Sequence, residues 1–266
     1  MAEKRPVPLN DAWRERYVQR LGFHGPPTPG RDGLTALHRA HLHSLPFENL
    51  DIHLGRPIRL DLDGLVEKLL GRNRGGYCYE LNGAFGSLLA SLGFDVSILE
   101  ARVYGGDAVG IRFDHACLRV LLDKPVLVDV GFGASFQEPL ALEPGVDQLD
   151  PGGTYRLVER PDGWLDLEEN GAAQYRLSLR PRSLDEFSGA NGYHQTSRES
   201  HFTQNTVCSL ATEQGRITIR GLRFVETIGG VRSEKALTPD ELGPLLETRF
   251  GIVLSDAELE KLASSD

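Results

Sequence analysis

The sequence predicts an α+β protein, with helices first, an antiparallel sheet second and a mixed segment last. Three observations carry that prediction. Apolar residues recur at helical spacing as far as Gly93. From Phe94 to about Arg180 the period drops to two, the alternation of half-buried strands. Beyond that, two Ser/Thr-x-x-Glu boxes, Ser183-Leu184-Asp185-Glu186 and Thr238-Pro239-Asp240-Glu241, mark helix starts among further short strands.

Asn10 or Asp11 caps a first helix carrying Trp13, Tyr17, Val18 and Leu21. A second helix runs from Leu34 to His43. A third starts near Asp63 with Leu65, Val66, Leu69 and Leu70. Pro26-Pro27-Thr28-Pro29-Gly30 and Pro46 break the chain between them. The fourth opens at Cys78, carries Leu81, Phe85, Leu88, Leu89 and Leu92, and stops at Gly93. His38, His41 and His43 cluster before Pro46, and two of them could share a helix face as metal ligands. No third ligand lies at a suitable spacing, so they read as a surface helix tail and no metal is expected.

In the β region Val96 to Val103 is one strand. His115 to Leu122 and Val126 to Val130 form a pair around Asp123-Lys124-Pro125. Tyr155 to Glu159 and Trp164 to Leu167 flank the turn Pro161-Asp162-Gly163. Many short strands in series predict a closed or nearly closed antiparallel sheet. Val207 to Leu210 and Ile217 to Ile219 are strands again. Leu242, Leu245, Leu246 and Phe250 ride on a helix that ends at Gly251, and Ser255-Asp256-Ala257-Glu258 opens the last one. Gly152-Gly153 and Gly229-Gly230 lack the flanks of a phosphate loop and read as turns.

Composition sets limits on function. The chain has 266 residues, 40% of them hydrophobic, enough for a real core and one to three domains. A net charge of −9 argues against broad nucleic-acid binding, which needs a basic face. It leaves room for an anionic small molecule held by a local basic patch. No apolar run approaches membrane-spanning length, and Met1-Ala2-Glu3-Lys4-Arg5-Pro6 does not read as a signal peptide. Three scattered cysteines, Cys78, Cys117 and Cys208, fit a reducing cytoplasm better than a disulfide framework.

The chemistry centres on Arg74-Gly75-Gly76-Tyr77-Cys78-Tyr79-Glu80-Leu81-Asn82. The first turn of a helix presents unpaired N–H groups and a positive dipole end. A thiolate placed there is stabilised and its pKa is expected to fall. Gly75 and Gly76 let backbone or substrate approach the sulfur. A small core residue is the alternative for Cys78, because it is in phase with Leu81 and Phe85. A nucleophilic cysteine needs a base, and the base an orienting group. His115 follows Asp114 into a strand, and Asp129 interrupts the apolar run Leu127-Val128-Asp129-Val130, which is costly unless the carboxylate is paired. Taken singly, His115 reads as a structural histidine and Asp129 as a strand-end cap. Taken together they read as Cys-His-Asp. Alternation sets a condition. A two-residue hairpin pairing 118 with 129 would put His115 and Asp129 on opposite faces. An odd loop or a bulge puts 117 opposite 129 and brings them to one face. Asp114 is the rival orienting group, although as the neighbour of His115 it points away from it in a strand.

With these blocks in place the sequence resembles the arylamine N-acetyltransferase family. The match is carried by Ser44-Leu45-Pro46-Phe47-Glu48-Asn49-Leu50-Asp51, Arg74 to Asn82, Val128-Asp129-Val130-Gly131-Phe132-Gly133 and His201-Phe202-Thr203-Gln204-Asn205, in that order. The resemblance implies a helical bundle over 1–93, a β-barrel over 94–193 and an α/β lid over 194–266. It implies a cysteine-protease-like arrangement with Cys78 as nucleophile, His115 as base and Asp129 as orienting carboxylate. It also implies ping-pong transfer of an acetyl group from acetyl-CoA, through acyl-Cys78, to an aromatic amine or hydrazine, as in xenobiotic metabolism. Phe47, Tyr79, Phe132 and Phe202 match acceptor-cleft aromatics, and Gly131, Phe132 and Gly133 match the turn near the CoA entrance. A cytoplasmic monomer or homodimer is expected. Two features depart from the family pattern: Arg198 stands where relatives often carry proline, and the loop from Tyr104 to Arg112 is rich in glycine rather than aromatic residues. The rival readings are an amide synthase of the same family acting on a larger acyl thioester in ansamycin-type biosynthesis, a cysteine protease or transglutaminase-like enzyme, and a non-catalytic module that keeps the fold.

Overall fold

The computed structural model describes residues 4–264. Asn10 accepts a hydrogen bond from the Trp13 N–H at 2.9 Å and so caps the helix Asp11–Arg20. The helices Arg31–Ser44 and Leu50–Leu54 follow. Leu62–Val66 then widens into the π-helical turn Glu67–Gly71. The helix Cys78–Ser91 is buried on every side from Cys78 to Leu89, which explains the apolar residues around its whole circumference. It packs against the strands Asp95–Gly105 and His115–Leu121 and is the hub of the helical part.

The larger sheet is antiparallel throughout. Its main strand order is Leu140–Ala141, Pro125–Val128, His115–Leu121, Asp95–Gly105, Ala172–Arg182, Leu165–Glu169, Gly153–Glu159 and Asp147–Asp150. Its two ends meet through one side chain. Gln148 accepts from the Ala141 N–H at 2.6 Å and donates to the Ala141 carbonyl at 3.0 Å, so the sheet is a nearly closed barrel, as expected. Alternation sorts the side chains. Leu99, Ala101, Cys117 and Leu127 fill the barrel, whereas Val96, Ile98, Ala116, Leu118, Val126 and Val128 face the helices. The barrel wall is therefore buried on both sides where the cysteine helix covers it.

A second antiparallel sheet runs Phe47–Glu48, Val207–Thr212, Gly215–Arg220, Arg223–Ile228 and Val231–Ala236. The helices Pro239–Phe250 and Asp256–Ala263 cover it around a third apolar core, which also takes in Leu50 and Leu54. Both helices start at the capping boxes read from the sequence. The Ser183 box opens a short 3₁₀ turn, Leu184–Phe187, that runs into the helix Ser188–Thr196.

One hairpin went unread, and one expectation needs correction. Arg223–Ile228 and Val231–Ala236 form a hairpin on the Gly229-Gly230 turn. The sequence hid it because its last strand is exposed along its whole length, leaving no apolar face to recognise. The histidine cluster is not a surface tail. His38 and His41 are fully buried, because their face of the helix turns inward. His38 Nδ1 lies 2.9 Å from the Gln137 carbonyl and His41 Nε2 lies 2.8 Å from the Tyr17 hydroxyl.

Candidate active site

Cys78 is the first residue of its helix, and the loop before it is fixed from below by buried charges. Arg74 Nη2 lies 2.8 Å from Glu48 Oε1, and Lys68 Nζ lies 2.9 Å from Glu80 Oε1 and 3.2 Å from Asp51 Oδ2. Glu80 Oε2 accepts the Tyr77 N–H at 3.1 Å, so this ionic cluster grips the helix one residue before the cysteine. Burial pushes the Glu80 carboxyl up to about 7, and Lys68 opposes the rise. Such a cluster holds geometry more than it adds stability, because desolvation consumes most of the Coulomb gain.

The hairpin from His115–Leu121 to Pro125–Val128 pairs Leu121 with Pro125 and Leu118 with Val128. Residues 122–124 form the connection. This three-residue loop is the odd-membered one that alternation demands, and it brings 115 and 129 to one face. His115 Nε2 lies 2.7 Å from Asp129 Oδ2. The His115 side chain also neighbours the Cys78 thiol, and each shifts the titration of the other. With Nε2 committed to Asp129, Nδ1 is the nitrogen left for sulfur. The structure therefore brings together all three residues singled out as Cys-His-Asp, each buried.

Asp129 Oδ1 accepts from Asn82 Nδ2 at 2.9 Å and from the Gly131 N–H at 2.9 Å. Asn82 also donates to the Ala116 carbonyl at 2.7 Å and accepts from the Val130 N–H at 3.0 Å. One amide thus ties the cysteine helix to both strands of the hairpin. Sequence reading had not singled it out. The available signal was its spacing: four residues after Cys78, it is a polar side chain on the same helical face.

The electrostatics follow from burial and these contacts. Burial disfavours the imidazolium of His115, but the Asp129 carboxylate outweighs it and raises the ring to about 10. The Asp129 carboxyl is held below its usual range. Burial works against its charge, and His115, Asn82 and the Gly131 N–H overcome that. The expectation for Cys78 needs correction. Burial pushes its thiol up, while hydrogen bonds from His115 and the Ala116 backbone, with the imidazolium charge, pull it down. The position at the helix start does not outweigh a desolvated sulfur. Cys117 shares the strand face of His115, yet burial drives its thiol well above the ordinary value and no imidazole opposes the shift. Cys208 is also driven up by burial.

Gly131 is needed for space. A Cβ there would lie 2.7 Å from Cys78 Cα, 3.0 Å from Cys78 O and 2.6 Å from Asn82 Nδ2. The turn after Asp129 crosses directly over the first turn of the cysteine helix. Phe132, next in sequence, stacks edge-on against the His115 ring at 5.3 Å. Phe47, Phe132, Gly133 and Phe202 line a cavity of about 370 Å³, as do Arg216 and Arg220. Ala134 and Arg216 also line a larger cavity of about 830 Å³ that holds Arg39 and His43. The two lie side by side between the barrel and the second sheet. Tyr79 is not part of this lining. It is fully buried, and its hydroxyl lies 2.7 Å from the Phe113 carbonyl and 3.0 Å from that of Asp114. Gly131 packs on Cys78 rather than lining the cavity.

Arg216 was also missed by sequence reading. Its Nη1 donates to Ser209 Oγ at 3.1 Å, and burial lowers it to about 10. Arg39 in the neighbouring cavity is paired with Glu138 at 2.6 Å.

Comparison with known proteins identifies the family of this fold. A family model described as N-acetyltransferase matches residues 32–259. An arylamine N-acetyltransferase of Mycolicibacterium smegmatis is 35% identical over 252 residues, which is 90% of this chain and 92% of that protein. The solved arylamine N-acetyltransferase of Salmonella typhimurium superposes with a TM-score of 0.90 at 29% identity, covering 97% of this chain and all of that one. The Mycobacterium marinum enzyme, solved in complex with CoA, superposes with a TM-score of 0.85 at 30% identity, covering 94% and 98%. Helix, barrel and second sheet all fall within these matches, and the chain belongs to the arylamine N-acetyltransferase family.

Proposed function

We propose that this protein moves an acetyl group from acetyl-CoA to an aromatic amine or hydrazine, with Cys78 as the covalent carrier. The observation that carries the assignment of residues is the unbroken chain of contacts from the Cys78 thiol through His115 to Asp129. His115, raised by Asp129, holds the proton given up by the thiol, as an imidazolium beside the Cys78 thiolate. The sulfur attacks the thioester carbonyl, a Cys78 thioester forms, and the bond to the CoA sulfur breaks. The His115 proton passes to the departing CoA thiolate. One thioester replaces another, so this step needs little driving force. The amine then attacks acetyl-Cys78, His115 accepts the ammonium proton, and the thiolate leaves with the amide formed.

The cavity of Phe47, Phe132 and Phe202 takes the aromatic ring of the acceptor. Gly133 lines the same space and lets the donor's slender thiol arm pass. Arg216, facing both cavities, offers its free N–H groups to the donor's phosphates. No metal enters the proposed chemistry. A division into 1–93, 94–193 and 194–266 is part of the same reading; the barrel interior has an apolar core of its own, while the helical core also takes in residues between Val96 and Val130 and the core of the second sheet takes in Leu50 and Leu54. A cytoplasmic setting also belongs to this reading, supported by three unpaired cysteines. Among the described residues no helix is long and apolar enough to cross a membrane.

Intact-mass measurement after mixing with acetyl-CoA, with no amine present, tests the assignment. One acetyl group on the peptide containing Cys78, with one CoA released per protein, is the expected result. Label on Cys117 or Cys208, or no CoA until amine is added, overturns it.

A further inference from the structure

A second histidine–aspartate pair lies beside the first and takes no part in the steps above. His194, on the helix Ser188–Thr196, is buried, and its Nε2 lies 3.1 Å from Asp114 Oδ1. Its Nδ1 lies 3.0 Å from Ser200 Oγ. Ser200 in turn caps the short helix His201–Gln204, accepting the Phe202 N–H at 3.2 Å. The His194 ring packs edge-on against Phe202 at 5.1 Å and leans on Tyr79 at 6.1 Å.

The other end of this pair is equally well anchored. Asp114 immediately precedes His115, and its Oδ2 accepts the Val103 N–H at 3.1 Å. Gly110 faces the same carboxylate so closely that a Cβ there would lie 2.2 Å from Oδ2. Phe113 has a φ of +61°, a left-handed conformation that an aromatic residue keeps only when its neighbours hold it. The Tyr79 hydroxyl donates to the Phe113 and Asp114 carbonyls, which follow that torsion. Two parts of the chain about 80 residues apart are therefore clasped at one point: the segment leading into the His115 strand, and the helix carrying the Phe202 wall of the acceptor cavity.

We infer that His194 is a positioning residue for the acceptor half of the reaction. Through Ser200 it fixes the Phe202 wall, and through Asp114 it ties that wall to the strand carrying His115. The amine is thereby held at a set distance from the base that accepts its proton. This inference rests on the acetyl-Cys78 reading of the same site. His194 touches neither Cys78 nor the turn Gly131-Phe132-Gly133, so loss of its side chain should leave acylation by the donor in place. The two half-reactions should separate when the clasp is broken.

The test compares His194→Leu, His194→Gln and Asp114→Asn with the wild type, in two assays on the whole protein. The first is the burst of CoA from acetyl-CoA without amine. The second is transfer from the acetylated protein to a series of para-substituted anilines. For His194→Leu the burst should survive at near wild-type rate. The KM for the anilines should rise by about tenfold or more, and the preference among substituents should flatten, because a mispositioned wall loses its discrimination. Asp114→Asn should raise the aniline KM and flatten the preference in the same way; its burst rate is left out of the comparison, because the Asp114 charge also acts on the Cys78 thiol. His194→Gln should recover most of the loss, since its amide can still bridge Ser200 and Asp114. If both half-reactions slow in proportion, His194 is only part of the general scaffold and the inference fails. It also fails if aniline KM and preference stay at wild-type values in folded Asp114→Asn, which keeps the test decisive should His194→Leu not fold. Absence of a burst in the wild type would instead overturn the acetyl-cysteine reading itself.

Discussion

Replacing Asp129 with asparagine should silence Cys78 by changing where one proton sits. Asp129 Oδ1 receives two donors, Asn82 Nδ2 and the Gly131 N–H, each at 2.9 Å. Oδ2 receives one, His115 Nε2 at 2.7 Å. Asparagine has one acceptor oxygen and one donor NH₂ group. With its oxygen toward Asn82 and Gly131, its NH₂ faces His115. Reversing the amide satisfies His115 as a donor but sets the NH₂ against two donors. Each buried donor left facing a donor costs about 1–3 kcal/mol, so the first orientation wins by about one such term. That margin corresponds to about 5–150-fold in population. His115 Nε2 must then accept, and its proton moves to Nδ1, the nitrogen facing the thiol. A ring protonated there cannot take the proton of Cys78. The variant also removes the charge that raises His115. Acylation should fall by about 10²–10⁴, the range for losing a general base. Single-turnover release of CoA measures the rate, and nitrogen-15 shifts of the imidazole report the tautomer. Acylation within about tenfold of wild type, about 1.4 kcal/mol of barrier, would refute the tautomer argument and leave Asp129 a structural carboxylate.

The other expectations concern titration, space and charge. His115 is raised to about 10 when folded, so the stability it contributes is fully present below about 6.5, its unfolded value, and is lost as pH rises through 10. His115→Gln should therefore flatten the fall in urea-unfolding free energy between pH 7 and 10, a slope of at most about 1.4 kcal/mol per pH unit per group; an unchanged slope would contradict the raised value. Gly131→Ala should force the turn off the cysteine helix, costing about 1–3 kcal/mol in overpacking and most of the acylation rate. Thermal unfolding and the CoA burst check it, and a variant with wild-type values in both would mean that the turn yields without cost. Arg216→Ala should raise the KM for acetyl-CoA and weaken its dependence on salt, while leaving the KM for a neutral aniline unchanged. Equal effects on both substrates would remove Arg216 from the donor's phosphates.

Much of the fold was legible because faces are written locally. The switch in period near Gly93, the capping boxes at Ser183, Thr238 and Ser255, and the glycine stop at Gly251 all mark elements present in the structure. Partners are not written locally. Nothing in Phe47-Glu48 announces that it pairs with Val207–Thr212, some 160 residues on, or that Asp95–Gly105 lies between His115–Leu121 and Ala172–Arg182. The same divide runs through the site. Asp129 stood out because it interrupts an apolar run, Cys78 because it opens a helix after two glycines, and His115 because it offered them a base. Asn82 and Arg216 do not, since a polar residue on a helix and a basic residue on a strand are ordinary until the third dimension buries them. The direction of the Cys78 shift was misread for a related reason. A helix start is visible in sequence, but the depth at which it is buried is not.

The loop at 122–124 shows how little separates a working site from a merely folded protein. Side chains on a strand alternate, so the parity of that loop decides whether Asp129 faces the barrel with Cys117 or the helices with Leu118. Three residues give the first outcome. Hydrophobic patterning alone would enforce the same register, because slipping by one residue would expel Val126 and Val128 from the helical core and drive Leu127 out of the barrel. The carboxylate is thus carried into place by apolar neighbours that have no chemical role. Its burial is made tolerable by the donors that meet it there: Asn82 from the helix, the Gly131 N–H from its own turn and His115 from the next strand. Two of these come from outside the turn, and the Asn82 donor requires the cysteine helix to lie against the barrel. The same helix therefore supplies Cys78 to His115 and completes the donor set of Asp129.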